Sequence, residues 1–330
     1  MSSMAERPDP DALGESPRVI GHYIGEEAGP LVVVIGGIHG NEPAGVIALE
    51  QLFELLHEEP LINPGFTFRG ELLALRGNLE ALRAGKRYID IDLNRIWQPV
   101  SRSAEDRYTT SEARELDGLL AAIEHALEEG PASELILLDL HTTTAEGGVF
   151  GITGDDTPSL LLAADLGVPV IKGMLSNLQG TTLSYFRDGR FDFDRPSRAI
   201  TFEAGGHREA TSVDRALAAT VNLLRSVGCV SKEDVSTHHD EVLRASTPDG
   251  VPSLLELTYV HHLTPAERTT FIMRPGYTNF QRIEQGELVA DDATGPIAAP
   301  CSGLLLMPLY QEQGEEGFFL VQAYDSPSGY

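Results

Sequence analysis

Four segments carry residue types that could do chemistry together. Gly36-Gly-Ile-His-Gly-Asn-Glu-Pro43 sets an imidazole, His39, and a carboxylate, Glu42, three residues apart just beyond an aliphatic run. Such a pair at a turn can close on one Zn²⁺ from the same side; the alternative is a solvated turn with Glu42 beside a helix N-terminus. Leu138-Asp-Leu-His141 ends a second aliphatic run in another imidazole. Two His and one carboxylate form the open catalytic zinc set, which leaves a fourth position for water. Ala199-Ile-Thr-Phe-Glu-Ala-Gly-Gly206 ends a third run in Glu203. A carboxylate there would sit partly desolvated, with its pKa raised toward the range of a general base; otherwise it pairs with Arg198 or Arg208. The fourth segment, Arg87-Tyr-Ile-Asp-Ile-Asp-Leu-Asn-Arg95, gathers Arg87, Asn94 and Arg95. Arg grips a carboxylate in bidentate fashion and Asn adds directional donors, so an anionic ligand suits them. A loop of salt bridges with Asp90 and Asp92 suits them equally.

Elements of α/β type must position these residues. Leu31 to Ile35 and Leu135 to Leu138 read as strands buried on both faces, Glu71 to Leu75 and Arg198 to Glu203 as further strands, and Val168 to Ile171 as a short one. Between them lie helical patterns: Pro43 onward through Leu56, a helix opened by a Thr109–Glu112 capping box, one begun at Thr157-Pro158, and Ser212 to Val227. This alternation predicts a sheet with helices on its faces, and such sheets hold ligands outside the carboxyl ends of their strands. After about residue 230 the texture changes to a polar connector followed by short strand-like runs: 270–273, 287–290, 303–307 and 318–323. Met1 to Pro17 has no periodicity and reads as a flexible tail.

The chain has 330 residues, with 24 Lys+Arg against 50 Asp+Glu and a formal net charge of −26. That balance argues against a nucleic-acid partner and against docking on anionic lipid, both of which need clustered cations. The first thirty residues carry no apolar stretch of the kind a signal peptide needs. Cys229 and Cys301 are too few for a disulfide scaffold, so a reducing, cytoplasmic setting is expected. A small-molecule substrate is the expected partner, and self-association is left open. Trp97, the only tryptophan, reads as packing near the arginine segment, and His238-His239 and His261-His262 as solvated.

Taken together, the four segments resemble the succinylglutamate desuccinylase/aspartoacylase family, zinc-dependent relatives of the metallocarboxypeptidases. The pattern is Gly-Gly-x-His-Gly-Asn-Glu, Arg-x-x-Asp-x-Asp-Leu-Asn-Arg, Asp-Leu-His and a strand-end Glu, covering roughly Leu31 to Gly206. The resemblance implies an α/β fold with a mixed sheet flanked by helices, zinc carboxypeptidase-like, and a small C-terminal β domain. With the unpatterned first residues and the change of texture near residue 230, the expected division is a flexible tail (1–17), a zinc-dependent catalytic domain (18–230) and a β domain (231–330). It implies one Zn²⁺ held by His39, Glu42 and His141, Glu203 as the base, Arg87 at the oxyanion, and Asn94 and Arg95 on the substrate carboxylate. Asp92 would orient a ligand His. Family members that cleave N-acetylaspartate read a second carboxylate with a Tyr and an Arg upstream of the base; Tyr185, Arg187, Arg190 and Arg198 precede Glu203 here, and Tyr185 is the candidate substrate contact. The implied activity is removal of an acyl group from a small N-acyl amino acid or related carboxylate. A metallocarboxypeptidase acting on short peptides, or a metal-binding protein without turnover, are the alternatives.

Overall fold

Aliphatic, β-branched runs have no polar face to offer solvent, so both faces of each strand must be covered. The computed structural model describes residues 17–98, 109–130, 132–187, 196–233, 235 and 238–324. The expected tail, apart from Pro17, and Arg190 lie outside them. The strands are β1 (Val19–Ile24), β2 (Glu27–Gly36), β3 (Arg69–Arg76), β4 (Leu135–Thr143), β5 (Phe150–Thr153), β6 (Val170–Lys172) and β7 (Ser197–Gly206). The C-terminal strands are β8 (Leu254–His262), β9 (Ile272–Met273), β10 (Arg282–Ile283), β11 (Leu288–Asp292), β12 (Gly295–Ala298), β13 (Gly303–Leu306) and β14 (Glu316–Ala323). The helices are α1 (Ala44–Ile62), α2 (Leu79–Ala84), α3 (Ser111–Glu129), α4 (Thr157–Ala164), α5 (Thr182–Arg187), α6 (Ser212–Ser226) and α7 (His238–Ser246).

Eleven strands form one mixed sheet in the order β1-β3-β2-β4-β7-β5-β6-β8-β14-β13-β10. Its centre, β3-β2-β4-β7, is parallel, while β5 runs antiparallel to β7. Side chains alternate along each strand between two cores. Leu31, Val33 and Ile35 join α3, α5 and Trp97 on one face; Val32 and Val34 join α1, α4, α6 and Leu243 of α7 on the other. The fold is therefore the expected α/β arrangement with helices on both faces.

The C-terminal strands expected from the turn-separated runs are present, and they extend the main sheet, since β8 pairs in parallel with β6. Phe319 and Val321 of β14 enter the first core, while Phe318 and Leu320 face a third, shared with the small sheet β12-β11-β9. Helix α7 is not anticipated by the sequence and packs on α6 across the boundary placed near residue 230. The capping box also differs: Thr110 caps α3, accepting from Ala113 N at 3.2 Å. Glu112 is buried and serves another purpose, described below.

Candidate active site

The parallel centre of the sheet sends its carboxyl ends to one rim. There His39 and Glu42 follow β2, His141 lies near the end of β4, and Glu203 near the end of β7. The turn after β2 is tight because Gly40 lies against α2: a Cβ there would come 2.0 Å from the Ala81 carbonyl carbon. Glu42 receives both imidazoles, His39 Nδ1 at 2.9 Å from Oε1 and His141 Nδ1 at 3.2 Å from Oε2. Thr142 N also donates to Oε2 at 2.8 Å. All three side chains are buried, and one ligand atom from each lies within 4.8 Å of the others.

Each imidazole is backed by a second carboxylate. His39 Nε2 is 3.2 Å from Asp92 Oδ1, and His141 Nε2 lies 3.0 Å from Asp139 Oδ2, off the hydrogen-bond direction. Two rings with the same nitrogen turned inward and an acid behind the other fit a bivalent cation, because such backing fixes the ring and raises its basicity. The N, N, O donor set is one that Zn²⁺ accepts.

Electrostatics follow from burial and these pairings. Burial alone would raise Glu42, but the charge of His39 and hydrogen bonds from both rings hold it well below the usual carboxylate range. Burial opposes charge on His141 as well, yet Asp139 and Glu42 raise its pKa. Glu203 differs. Burial, aided by the charges of Glu42 and Asp139, pushes it up to about 8 against the pull of His141 and Arg87.

Asp92 ties the arginine segment to the rim. Its Oδ2 accepts from Arg87 Nε at 3.1 Å and Nη2 at 3.0 Å, and its Oδ1 accepts from Asn94 N at 2.8 Å. Despite burial, Arg87 holds Asp92 well below its ordinary pKa. Asn94 Oδ1 accepts from Thr182 N and Oγ1 at 2.9 and 3.1 Å, joining this turn to α5. Gly180, at φ +68°, makes the join close: a Cβ would sit 2.2 Å from Arg95 O.

One cavity is lined by His39, Glu42, His141, Glu203, Arg87, Asn94 and Arg95. The structure thus brings together all the expected site residues except Tyr185, with Asp92 directly behind. Tyr185 instead packs among Trp97 and Phe186, ring centroids 5.7 and 5.5 Å away, because α5 turns its aromatic face to the core. Arg198 is also elsewhere: it stands at the opposite end of β7 in a paired contact with Glu134, at 2.5 and 2.8 Å.

Several contributors went unassigned in the sequence. Asp139 could have been found, since a strand's period of two puts it on the same face as His141. His207, whose Nδ1 is 2.7 Å from Thr142 Oγ1, lines the cavity, and burial lowers its pKa. Gln311, bound to Asn41 Nδ2 at 3.0 Å, and Glu316 come from the C-terminal strands and their connections. Glu112 accepts from the backbone N–H groups of Ile89, Asp90 and Ile91 at 2.7, 3.1 and 3.2 Å, fixing the approach to Asp92.

Fold and site together define an α/β protein with a candidate metal centre at the carboxyl rim of a mixed sheet. Residues 28–226 match the family described as the succinylglutamate desuccinylase/aspartoacylase catalytic domain, and the chain belongs to that family. It is 33% identical over 132 residues to a probable aspartoacylase from a Nostoc species, a match covering 39% of this chain and 41% of that protein. It is 32% identical over 208 residues to a succinylglutamate desuccinylase from Serratia proteamaculans, 58% of each chain. The chain thus spans between about two fifths and three fifths of these two relatives. A succinylglutamate desuccinylase/aspartoacylase structure from Rhodobacter sphaeroides shares the fold at TM-score 0.62 and 19% identity, over 90% of this chain and 87% of that one. The succinylglutamate desuccinylase from Chromobacterium violaceum gives 0.61 at 18% identity, over 97% and 99%. Among the described residues no helix is long and apolar enough to cross a membrane.

Proposed function

We propose that the protein is a zinc-dependent amidohydrolase that deacylates a small N-acyl amino acid or related carboxylate, releasing a carboxylic acid and a free amine in the cytoplasm. The observation that carries this reading is the convergence of His39, Glu42 and His141 on one point, with Glu203 in register beside His141. Membership of a family whose name joins a desuccinylase and an acylase supports it.

His39, Glu42 and His141 would hold the ion, and Asp92 and Asp139 would fix the two rings. Zn²⁺ held by such a set acts as a Lewis acid and lowers the pKa of water toward about 7. Glu203, whose ionised form is favoured by a cation bound beside it, would take a proton from the attacking water and return it to the leaving amine nitrogen. Arg87, kept charged by Asp92 and Glu42 in spite of burial, would stabilise the oxyanion that develops on the amide oxygen. The Asn94 amide and the Arg95 guanidinium offer donors to a substrate carboxylate.

One preparation tests the reading. Elemental analysis is expected to give one zinc per chain, and a panel of N-acyl amino acids assayed beside short peptides is expected to show deacylation. A metal-loaded protein that leaves every acyl amino acid intact would overturn it.

A further inference from the structure

Part of the cavity before the His39–Glu42–His141 cluster is walled by the connection from β13 to β14, through Met307, Leu309 and Gln311. A connection has no sheet ladder of its own, so its place depends on what its polar groups are tied to. This one is tied to the rim. Thr144 donates from Oγ1 to Pro308 O at 2.8 Å and accepts from Tyr310 N at 3.2 Å. Asn41, between His39 and Glu42 in the chain, donates from Nδ2 to Gln311 Oε1 at 3.0 Å.

Asn279, in the turn between β9 and β10, makes the same join from inside the fold and is only 2% exposed. Its Nδ2 donates to Thr143 Oγ1 at 3.0 Å and to Ala145 O at 3.2 Å, just past His141. Its Oδ1 accepts from Met307 N at 2.7 Å. Both amide hydrogens and the oxygen are used, and in one orientation only. Turning the amide over would set oxygen against Ala145 O and nitrogen against Met307 N. The Asn279 backbone N also donates to Glu146 O at 2.8 Å. Its chain neighbour Phe280, at φ +62°, and its partner Met307, at φ +47°, occupy the left-handed region without being glycine. Backbone of that kind persists where its surroundings over-determine it.

We propose that Asn279 is a positioning residue for substrate binding: bonded to Thr143 and Ala145 on one side and to Met307 on the other, it sets the C-terminal wall of the cavity against the rim. The effect on KM rests on the deacylase reading, whereas the placement of the wall is tested without turnover.

The zinc-loaded full chain is compared with Asn279→Ala. For the best substrate in a panel of N-acyl amino acids, KM is expected to rise about tenfold with kcat within about threefold of wild type. Chelator competition is expected to give an unchanged metal affinity. In hydrogen exchange, the amides of Met307 and Tyr310 are expected to exchange at least about tenfold faster, with those of β4 and β7 unmoved. Wild-type KM or wild-type exchange in the folded variant overturns the proposal. So does faster exchange throughout the chain, which would make Asn279 a support of the whole fold. Should Asn279→Ala not fold, Asn279→Asp carries the same tests with exchange read at Tyr310, since it keeps an acceptor for Met307 N and removes both donors to the rim. Should wild type leave every acyl amino acid intact, the deacylase reading fails, and exchange alone decides whether Asn279 holds the wall.

Discussion

His141 and Glu203 are register partners on the adjacent parallel strands β4 and β7. Neighbouring side chains at matched positions of a parallel pair share a face, so bringing His141 and Glu203 together is a property of the sheet itself and needs no mobile loop. Replacing Glu203 by Gln keeps shape and leaves His39, Glu42 and His141 untouched. The expected outcome is full metal occupancy with kcat lowered about 10²–10⁴-fold, the range for loss of a general acid–base. Metal content and steady-state rates measured on the same sample check it; near-normal turnover would remove Glu203 from its role.

Asp139 is fully buried, and its Oδ2 lies 3.0 Å from Nε2 of His141. Asp139→Asn keeps the volume and removes the charge behind the ring. Metal affinity is expected to weaken about 10–100-fold, as for other carboxylates behind a ligand His, whereas His141→Ala is expected to abolish stoichiometric binding. Competition against a chelator distinguishes them. Equal affinity in wild type and Asp139→Asn would mean the carboxylate does not tune the ring.

The raised pKa of Glu203 has a stability consequence in chelated protein. In the unfolded chain this carboxyl ionises near 4.5, whereas burial keeps it protonated in the fold up to about 8. The folded state therefore holds a proton that the unfolded chain has released between those values. The contribution is fully present below pH 4.5, declines as pH rises, and is gone above about 8. Tm of chelated wild type relative to chelated Glu203→Gln is expected to fall as pH is raised from 5 to 8. Curves that run parallel would show that the carboxyl is not held neutral by its surroundings.

The rim was legible because aliphatic runs end in chemically distinct residues: Ile35 leads to His39, Leu138 to His141 and Phe202 to Glu203. Strand order and register could not be read locally, yet they decide that Glu203 meets His141. Helix α7 was hidden because Leu243 is its one buried residue, too little for a periodic signal. Tyr185 misled for a related reason. An aromatic residue on a short helix looks the same in sequence whether it faces substrate or, as here, Trp97. Glu316 had no signal at all, since an acid at the start of a strand acquires its meaning only from Arg95, far back in the chain.

Glu112 shows the same limit and yields a further prediction. Beside Thr109 it reads as half of a capping box, yet the cap is Thr110. Its buried carboxylate instead accepts from three successive backbone N–H groups, Ile89 to Ile91, and from Asn78 Nδ2 at 3.0 Å. These hold the segment between Arg87 and Asp92. Glu112→Ala would strand those donors, at about 1–3 kcal/mol for each that finds no water. Glu112→Gln would set an NH₂ group against N–H donors that need an acceptor. Both variants are expected to lose stability, with Glu112→Ala lower in Tm by several degrees. Both are also expected to lose kcat/KM while keeping His39, Glu42 and His141 intact. Thermal melts run beside kinetics at a temperature where each variant is folded separate the two effects. Wild-type kinetics in folded Glu112→Ala would show that Arg87 and Asp92 hold their places without this carboxylate.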